Sequence, residues 1–452
     1  MHFKIILLSL LLLTAALVLL IPPEPVEVGK EAKQPAVDEK KVIEDQVPRK
    51  SNVVIILVDT LRADHLGYMG YMNISPNIDA LAGDGVVFEN AFSQSSWTNP
   101  AIASLFTGLI PSRHGYYIHN ELSENVTTLA QALNDGGYST IGLQAHWWFK
   151  HNNSVNRGFD EYDVWEFAKA RRIITRLPKA LDSVMSSNFF MYIHLIDPHI
   201  LYYRHNISKG IYSKECREQA KRIPLLYRHQ ILKKLDEFDM KCMVELYDGE
   251  IMYTDYYVGE IMRELKERDL YDNTLIVLVA DHGEEFMDHG SFEHGHTQYN
   301  ELLHIPLIMK FPSVKPARVN SMARIVDVMP TVLAYVGVGY DHDIDGVDLM
   351  PAVLSEASRS TYSLAEFNFY NGELKSIQNL RWKLMVNPET GGTMLFDLKN
   401  DPGELNPVEN KSIELLLQSR MDSYLEKTRH DSRKIELDDK QRDKLRRIGY
   451  IF

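Results

Sequence analysis

Three stretches of the chain are runs of apolar residues, each followed by polar side chains that can bind a metal or transfer a proton. Residues 53–58 read VVIILV, residues 189–196 read FFMYIHLI and residues 274–280 read TLIVLVA. Strands buried on both faces of a parallel sheet have such continuous runs, whereas half-exposed strands alternate apolar and polar residues. We therefore predict that these three runs are buried strands of one sheet.

Segments with helical periodicity separate the strands. Helices are predicted near residues 76–82 and 127–134, each followed by a glycine-containing turn and another short apolar strand. Residues 243–270 place apolar side chains three and four positions apart over about seven turns, which is typical of an amphipathic helix on a sheet. This alternation of strands and helices predicts an α/β fold with a mostly parallel sheet.

The N-terminal region has a different pattern. Residues 5–21 are apolar apart from two hydroxyl residues, and at ~1.5 Å per residue a helix of this length spans roughly 26 Å, enough to cross a slightly thinned bilayer. Basic charge before the run and acidic residues after it predict an N-terminus inside and a C-terminus outside the cytoplasm. We predict a membrane anchor within residues 1–21, with a cleaved signal peptide as the alternative, so that the rest of the chain is exported. Residues 22–50, rich in Pro, Glu and Lys, are predicted to be a flexible linker.

Composition and charge limit the classes of partner. The chain has 452 residues, 45% hydrophobic content and a formal net charge of −13, with no long basic patch. This charge argues against a nucleic-acid partner, and the composition is that of a globular protein with a sizeable core. Cys216 and Cys242 are the two cysteines of the chain. Composition leaves open whether they form a disulfide or remain buried thiols.

Two of the predicted buried strands end in residues that can bind a metal. Asp59 follows the first strand directly, and Asp281, His282 and Gly283 follow the third. Open α/β sheets bind their ligands at the carboxyl ends of the strands. Adjacent Asp and His side chains can ligate one divalent cation there if the glycine lets the chain turn sharply. For Asp59 alone, a role in capping the next turn is an equal alternative.

The stretch SQSSWTNPAIASLFTG, residues 93–108, presents a hydroxyl just ahead of a predicted helix. Pro100 is favoured in a first helical turn, so Thr98 is predicted to lie in the loop before the helix, near unpaired backbone N–H groups. An anion binds well at such a position, and a nucleophile for a phosphate or sulfate ester would be placed there. The alternative is that Thr98 only caps the helix.

Histidines provide the remaining candidate chemistry. His194 lies inside the second apolar run and is interpreted as a core residue, whereas His199 follows the run and is the better functional candidate. Imidazole near a strand end suits metal binding or proton transfer. Further histidines cluster downstream, of which one or two are expected to reach the site: His282, His289, His294, His296 and His304.

Taken in order, several motifs together resemble a sulfatase-like member of the alkaline phosphatase superfamily. They are VDTLRADHLGYMGY, TNPAIASLFTG, HLIDPHILY, VADHGEEF, HGHTQYNELLHIPLI and LFDLKNDPGELN. The resemblance extends from residue 51 to the C-terminal end. It implies a catalytic α/β sandwich with a large, mixed, mostly parallel sheet over residues 51–355. It also implies a small C-terminal subdomain of antiparallel strands and a helix over residues 356–452.

The resemblance also implies a set of functional residues. The family's metal ligands fall on Asp59, Asp281 and His282, with the nucleophile Thr98 as a further ligand. Its substrate-contacting histidine falls on His199. Its later basic residue, which contacts the ester oxygens, falls on His294 or His296.

The chain departs from the family pattern at the nucleophile. Sulfatases carry Cys-x-Pro-x-Arg or Ser-x-Pro-x-Arg and oxidise the first residue to formylglycine, whereas this chain has Thr98 and Ile102 at the two ends of that motif. Thr60 replaces the second aspartate of a usual pair, and Gln144 replaces the lysine of a usual Lys-x-His, which leaves His146. A threonine nucleophile is instead similar to that of the superfamily's phosphodiesterases, phosphoethanolamine transferases and lipoteichoic acid synthases.

These features predict a metal-dependent hydrolase or transferase of phosphate esters, in particular phosphodiesters, or of sulfate esters, acting through Thr98. We expect one divalent ion per chain, Mn, Zn, Ca or Mg. A second metal site made of Asp197, His199 and His294 or His296 is the alternative. A sulfuric ester hydrolase without formylglycine and an inactive binding protein are the competing functions. The anchor suggests a lipid headgroup or an envelope glycan as substrate.

Overall fold

The computed structural model describes residues 51–117, 120–146, 149, 154–219, 237–340, 342–355, 361–366, 373–427 and 433–434. The predicted anchor in residues 1–21 and the predicted linker in residues 22–50 lie outside this range. Among the helices that are described, none combines the length and apolar character needed to cross a membrane.

The strands have the following bounds. They are β1 (Asn52–Val58), β2 (Val86–Phe92), β3 (Asn120–Glu121), β4 (Ser139–Gln144), β5 (Glu161–Val164), β6 (Phe189–Leu195), β7 (Thr274–Ala280), β8 (Glu285–Phe286), β9 (Phe292–Glu293), β10 (Leu307–Lys310), β11 (Ala317–Arg324), β12 (Ser363–Glu366), β13 (Lys375–Gln378), β14 (Trp382–Val386), β15 (Thr393–Asp397) and β16 (Arg433–Lys434).

The α-helices have the following bounds. They are α1 (Pro76–Asp84), α2 (Thr98–Thr107), α3 (Pro111–His114), α4 (Leu129–Asp135), α5 (Ala170–Ile174), α6 (Leu177–Val184), α7 (Lys214–Gln219), α8 (Glu237–Glu267), α9 (Asn300–Leu303), α10 (Val328–Val336), α11 (Met350–Ser355) and α12 (Lys411–Leu425).

An eight-stranded sheet with the strand order β11-β2-β10-β7-β1-β6-β4-β5 lies at the centre of the fold. Strand β1 pairs in parallel with both β6 and β7, while β10 runs antiparallel to β7 and β2. All residues of β1, β6 and β7 are buried, as their continuous apolar sequences predict. The predicted mixed, mostly parallel sheet is confirmed.

Helices cover the sheet in two groups. The long helix α8 packs against α1, α5 and α6, and α2 packs against α4 and α10. A single core of aliphatic and aromatic side chains joins both groups to the sheet. Cys216 of α7 and Cys242 of α8 form a disulfide, a pairing that composition had left open.

A second, smaller sheet forms the C-terminal part of the fold. Strands β12, β13, β14 and β15 pair antiparallel in that order, and α12 packs against β13 and β14. Its own small core consists of Ile110, Leu364, Ile377, Leu384, Leu395, Leu417 and Met421. The small antiparallel sheet with a helix is as predicted, whereas its boundary at residue 355 stays a prediction.

A buried ion pair connects this small sheet to the loops of the large one. Lys383 of β14 is fully buried, and its Nζ lies 2.7 Å from Oε1 of Glu404 and 3.1 Å from Oδ1 of Asn300. The Glu404 carboxylate accepts a second hydrogen bond, from the backbone N–H of Asn300 at 2.7 Å. Because both charges are out of water, each depends on the other for compensation.

We expect Lys383→Met to destabilise the protein by about 3 kcal/mol, since it leaves the Glu404 carboxylate buried without a cation. Urea unfolding followed by tryptophan fluorescence measures the change. The double variant Lys383→Met/Glu404→Gln should recover part of the loss because it removes the uncompensated charge.

A matched lysine serves as the control. Lys411 pairs with Glu414 at 3.0 Å, but its side chain is 78% exposed, so Lys411→Met should cost less than about 1 kcal/mol. Equal losses for the two single variants would show that the buried pair does not hold the small sheet in place.

Candidate active site

The parallel pairing of β1 and β7 brings two aspartates together. Val58 lies opposite Ala280 in the register, so Asp59 and Asp281 each follow directly at the same edge of the sheet. Both carboxylates are fully buried. Burial, followed by the charges of Asp281 and Glu284, raises the pKa of Asp59 well above its ordinary value, and burial raises that of Asp281.

These carboxylates and His282 form a group that could hold a cation. One ligand atom from each of Asp59, Asp281 and His282 lies within 4.8 Å of the other two. Oδ1 of Asp59 and Oδ2 of Asp281 are buried, and neither makes a hydrogen bond to any described residue. Two such acceptor oxygens facing an imidazole are an unfavourable arrangement that a divalent cation would make favourable.

The backbone orients the ligands on the β7 side. The N–H groups of Thr60 and His282 donate to Oδ1 of Asp281 at 3.1 and 2.9 Å, which leaves Oδ2 towards the group. Nδ1 of His282 lies 2.8 Å from the Gly283 carbonyl. Because a carbonyl can only accept, Nδ1 carries the proton, and Nε2 is the atom left for a ligand.

Gly283 is required here by a close backbone contact, and its role in a sharp turn stays a prediction. It is not one of the described glycines with positive φ, but a Cβ at this position would lie 2.0 Å from the carbonyl oxygen of Glu301. The backbone of the Glu301 segment therefore approaches the loop that carries Asp281 and His282 too closely for any side chain at Gly283.

Thr98 lies beside the group, although not in the predicted loop. It is the first residue of α2, and Trp97 precedes the helix as its cap residue. The helix begins two residues earlier than expected because Pro100 still lies in the first turn, where its missing N–H costs no hydrogen bond. The Thr98 hydroxyl is 3.3 Å from Nε2 of His282 and can donate a hydrogen bond to it.

Two of the predicted histidines converge on the same place. The ring of His294 lies 4.4 Å from that of His282 and 5.0 Å from that of His199, measured between centroids. Nδ1 of His294 is 2.8 Å from Oε1 of the buried Glu284, a partner that stabilises a protonated imidazole. In contrast, Nε2 of His296 is hydrogen-bonded to Glu285 at 2.7 Å. The ring contact with His282 makes His294 the stronger of the two candidates.

His199 is electrostatically different from His294. Burial lowers its pKa to about 4, and the charges of His282 and Lys169 add to this effect. Its Nδ1 lies 2.7 Å from the carbonyl of Ile200 and so carries the proton in the neutral ring. His199 is therefore neutral at physiological pH as long as no anion is bound.

Asp197 has other partners than a metal. Its Oδ2 accepts the N–H of Ala170 at 2.7 Å, and its Oδ1 lies 2.7 Å from Nζ of Lys169, which also contacts Glu250 at 3.3 Å. Both of its oxygens are occupied, which disfavours the alternative of a second metal site containing Asp197. Among the described residues, one cluster has metal-ligand geometry.

Sequence reasoning assigned no role in the site to several of its neighbours. His194 was interpreted as a core residue, and it is fully buried, but its Nε2 lies 3.1 Å from Oδ2 of Asp59. His146 stacks on His194 at 6.0 Å, and burial, with the charges of His199 and His282, lowers its pKa to about 3. Glu284, two residues after His282 in an acidic pair, could have been noticed from its position.

The three departures from the family pattern lie as follows. Thr60 takes a positive φ of 56°, and its side-chain hydroxyl makes no hydrogen bond to a described residue. Ile102 is fully buried in the core under α2. The Oε1 of Gln144 accepts the backbone N–H of His146 at 2.9 Å. Neither of the latter two supplies a positive charge.

Family models match most of the chain. The sulfatase family model matches residues 51–338, and the model for the C-terminal part of N-sulphoglucosamine sulphohydrolase matches residues 287–431. An ulvan-active sulfatase of Formosa agariphila is 25% identical, covering 92% of this chain and 88% of its own. A Δ4,5-hexuronate-2-O-sulfatase of Bacteroides thetaiotaomicron is 21% identical, covering 90% of this chain and 95% of its own.

Solved structures share the fold. A protein in complex with its substrate D-glucosamine-2-N,6-O-disulfate aligns with a TM-score of 0.71 and 18% identity, covering 83% of this chain and 97% of its own. A phosphonate monoester hydrolase of Agrobacterium radiobacter aligns with a TM-score of 0.69 and 19% identity, covering 87% and 99%. With the family model matched across the catalytic domain, this chain belongs to the sulfatase family and is a hydrolase of the alkaline phosphatase-like superfamily.

Proposed function

We propose that this protein is a metal-dependent hydrolase of monoanionic phosphate esters, phosphodiesters first, with Thr98 as its nucleophile. The observation that carries the proposal is the Thr98 hydroxyl, 3.3 Å from His282 within a buried group whose two aspartates keep an open oxygen each. An inactive scaffold would have no need of this arrangement, because buried, uncompensated carboxylates destabilise a fold.

The donor set fits a divalent cation. Asp59, Asp281 and His282 would hold it, with Thr98 as a further ligand. Two carboxylates with one imidazole favour Mn²⁺ or Zn²⁺ over Ca²⁺ and Mg²⁺, which prefer ligand sets made only of oxygen. When bound, the cation lowers the pKa of a coordinated hydroxyl and neutralises negative charge on the ester.

The residues of the chain then have separate tasks. The Thr98 hydroxyl loses its proton to solvent, its oxygen attacks phosphorus, the bond from phosphorus to the leaving oxygen breaks, and a phosphothreonine forms. His294, held by Glu284, donates its Nε2 proton to the departing alkoxide. Water then attacks phosphorus and gives a proton back to His294, the bond from phosphorus to the Thr98 oxygen breaks, and that oxygen takes up a proton from solvent. An acceptor alcohol in place of water would make the enzyme a transferase.

His199 contacts the ester oxygens in this proposal. It is neutral without substrate because burial lowers its pKa to about 4. A bound anion raises the pKa of a neighbouring imidazole, so Nε2 becomes protonated and donates to an oxygen only when an anionic ester is present. The site thus keeps little positive charge until the substrate arrives.

The absence of the family's arginine and lysine side chains favours a substrate with a single negative charge. Ile102 and Gln144 stand where the family pattern has an arginine and a lysine, so fewer fixed positive charges face the ester. A phosphate diester or a sulfate monoester carries one negative charge, whereas a phosphate monoester carries up to two near neutral pH. Monoanionic esters therefore match this site better.

Sulfate esters are the second candidate, because the named relatives include an ulvan-active sulfatase and a hexuronate sulfatase. A sulfated threonine, unlike a sulfated formylglycine, has no second hydroxyl through which to expel the anion. Release of sulfate from threonine therefore requires a nucleophile to attack sulfur. Release of phosphate from phosphothreonine likewise requires attack at phosphorus, and phosphoryl transfer provides precedent for that reaction. This reason ranks phosphodiesters first.

We further propose that the catalytic domain lies outside the cytoplasm, held at a membrane by residues 5–21, and acts on a glycan or lipid headgroup. The Cys216–Cys242 disulfide supports this location, since structural disulfides persist in oxidising compartments. Relatives with carbohydrate substrates in their names support the glycan.

The nucleophile is tested by assaying the full chain, stripped of metal and then supplied with Mn²⁺ or Zn²⁺, on aryl phosphodiesters, phosphate monoesters, phosphonate monoesters and sulfates. Thr98→Ala and the isosteric Thr98→Val should lose at least about 10³-fold in kcat/KM on the best ester because the attacking oxygen is gone. Thr98→Ser should keep measurable activity.

A second threonine of the same helix is the control. The Thr107 hydroxyl donates to the Ala103 carbonyl at the other end of α2, so Thr107→Ser should leave kcat/KM unchanged. Turnover of sulfates alone would move the second candidate to first place. Full activity in Thr98→Val would reject the threonine mechanism, and no turnover by a metal-loaded wild type would favour a binding protein.

The role of His294 is tested with two leaving groups. His294→Gln should reduce kcat on an alkyl ester by about 10²–10⁴-fold but affect a 4-nitrophenyl ester far less, because nitrophenolate departs without a proton. His296→Gln is the matched control, since His296 is bonded to Glu285. Equal losses on both esters for His294→Gln would exclude it as the general acid.

The location is tested in cells that express the chain with a C-terminal tag. We expect the tag to stay with the membrane fraction after a carbonate wash and to be cleaved by protease added outside the cytoplasmic membrane. Deletion of residues 1–21 should leave the tag protected in the cytosol. A tag protected in the wild type would contradict the proposed orientation.

A further inference from the structure

We propose that His194 is a positioning residue that fixes Asp59 for cation binding, and that Tyr192 supports His194 by donating a hydrogen bond to its unprotonated ring nitrogen. This inference rests on the proposed function, because it concerns the residues that would hold the metal. The inference gives His194 a role in the site, although its apolar sequence context is typical of a core residue.

The sheet places His194 against Asp59. Strand β6 pairs in parallel with β1, and His194 lies opposite Leu57, two residues before Asp59. Nε2 of His194 is 3.1 Å from Oδ2 of Asp59, and both side chains are fully buried. Water does not reach this contact, so the imidazole is the group that satisfies Oδ2.

The hydrogen bonds determine the tautomer. A carboxylate can only accept, so Nε2 of His194 must carry the proton that it donates to Asp59. In the neutral ring Nδ1 is then an acceptor, and the hydroxyl of Tyr192 lies 3.4 Å from it. Tyr192 and His194 are two positions apart on β6 and project to the same face of the sheet, as this contact requires. Tyr192 therefore donates to His194, and His194 donates to Asp59.

This series of hydrogen bonds determines which oxygen of Asp59 is available to a metal ion. With Oδ2 held by His194, Oδ1 makes no hydrogen bond to any described residue. If His194 were absent, the carboxylate could rotate, and Oδ2 would be buried without a partner. A ligand held in one orientation binds a metal more tightly, because binding then costs less side-chain entropy.

Asp59 differs in this respect from the other two candidate ligands. Asp281 is held by two backbone N–H groups, and His282 donates to the backbone carbonyl of Gly283. The Oδ2 of Asp59 is instead held by a side chain, so this support can be removed by substitution without altering the backbone.

The experiment measures Mn²⁺ and Zn²⁺ binding to the metal-free full chain in detergent by titration calorimetry. Loss of such a supporting partner costs about 10–100-fold in metal affinity, and we expect this for His194→Leu. His194→Gln should recover most of the affinity because its amide nitrogen can donate from nearly the same place as Nε2. Tyr192→Phe should weaken binding by a few-fold, roughly the effect of one hydrogen bond.

Tyr138→Phe is the matched control for Tyr192→Phe. The Tyr138 hydroxyl also makes one buried hydrogen bond, 3.0 Å to the carbonyl of Ser51, but at the opposite end of β1 from Asp59. It should leave the Kd for both ions unchanged. The unfolding midpoint of each metal-free variant shows whether a change in Kd merely follows a loss of stability. If His194→Leu does not fold, the Kd of Tyr192→Phe tests the inference instead.

A second readout separates positioning from catalysis. At saturating metal, His194→Leu should regain most of the wild-type kcat, since the residue acts through metal binding. Unchanged Kd in both His194→Leu and Tyr192→Phe, with wild type binding metal, would overturn this inference alone. If the wild type bound neither ion, the proposed metal-dependent function would fail together with it.

Discussion

The parallel pairing of β1 with β6 and β7 is the constraint on which the rest of the site depends. Parallel strands end at the same edge, so the residues that follow β1 and β7, and one near the end of β6, are brought together in a place closed to water. Asp59 and Asp281 are adjacent there because the register of β1 and β7 places the residues before them, Val58 and Ala280, opposite each other. Two buried carboxylates repel each other and lack solvation, which is a costly arrangement unless a cation is bound.

The surroundings of these carboxylates are built mainly from neutral donors. Backbone N–H groups hold Asp281, and imidazoles whose pKa is lowered by burial surround the group: His146, His194 and His199. With Ile102 and Gln144 in place of the family's arginine and lysine, the charge of the free site comes mainly from its carboxylates. In the proposed function, such a site would attract the cation first and the anionic ester afterwards.

The small C-terminal sheet contributes to this site indirectly. Lys383 of β14 reaches Glu404 and Asn300, and the Glu404 carbonyl lies 3.2 Å from Nε2 of His289. His289 belongs to the same loop region as His294, five residues later. The position of the proposed proton donor is therefore connected through partly buried polar contacts to a subdomain whose described residues supply no group to the candidate metal-ligand cluster.

Much of the fold and part of the candidate site could be predicted from the sequence, because the patterns that indicate them lie within short segments. The unbroken apolar runs of β1, β6 and β7 predicted buried parallel strands, and a polar residue at each strand end predicted where Asp59 and Asp281 would meet. The start of α2 was misplaced by two residues, because proline is tolerated throughout a first helical turn and so does not fix its first residue.

Tertiary structure decided the rest, since it concerns contacts between residues far apart in the chain. The sequence could not show that His194 faces Asp59, because that depends on which strand lies beside β1 and in what register. Nor could it choose between His294 and His296, two residues apart, of which one contacts His282 and the other Glu285. Local pattern determined which residues lie at the sheet edge; packing determined which of their atoms meet.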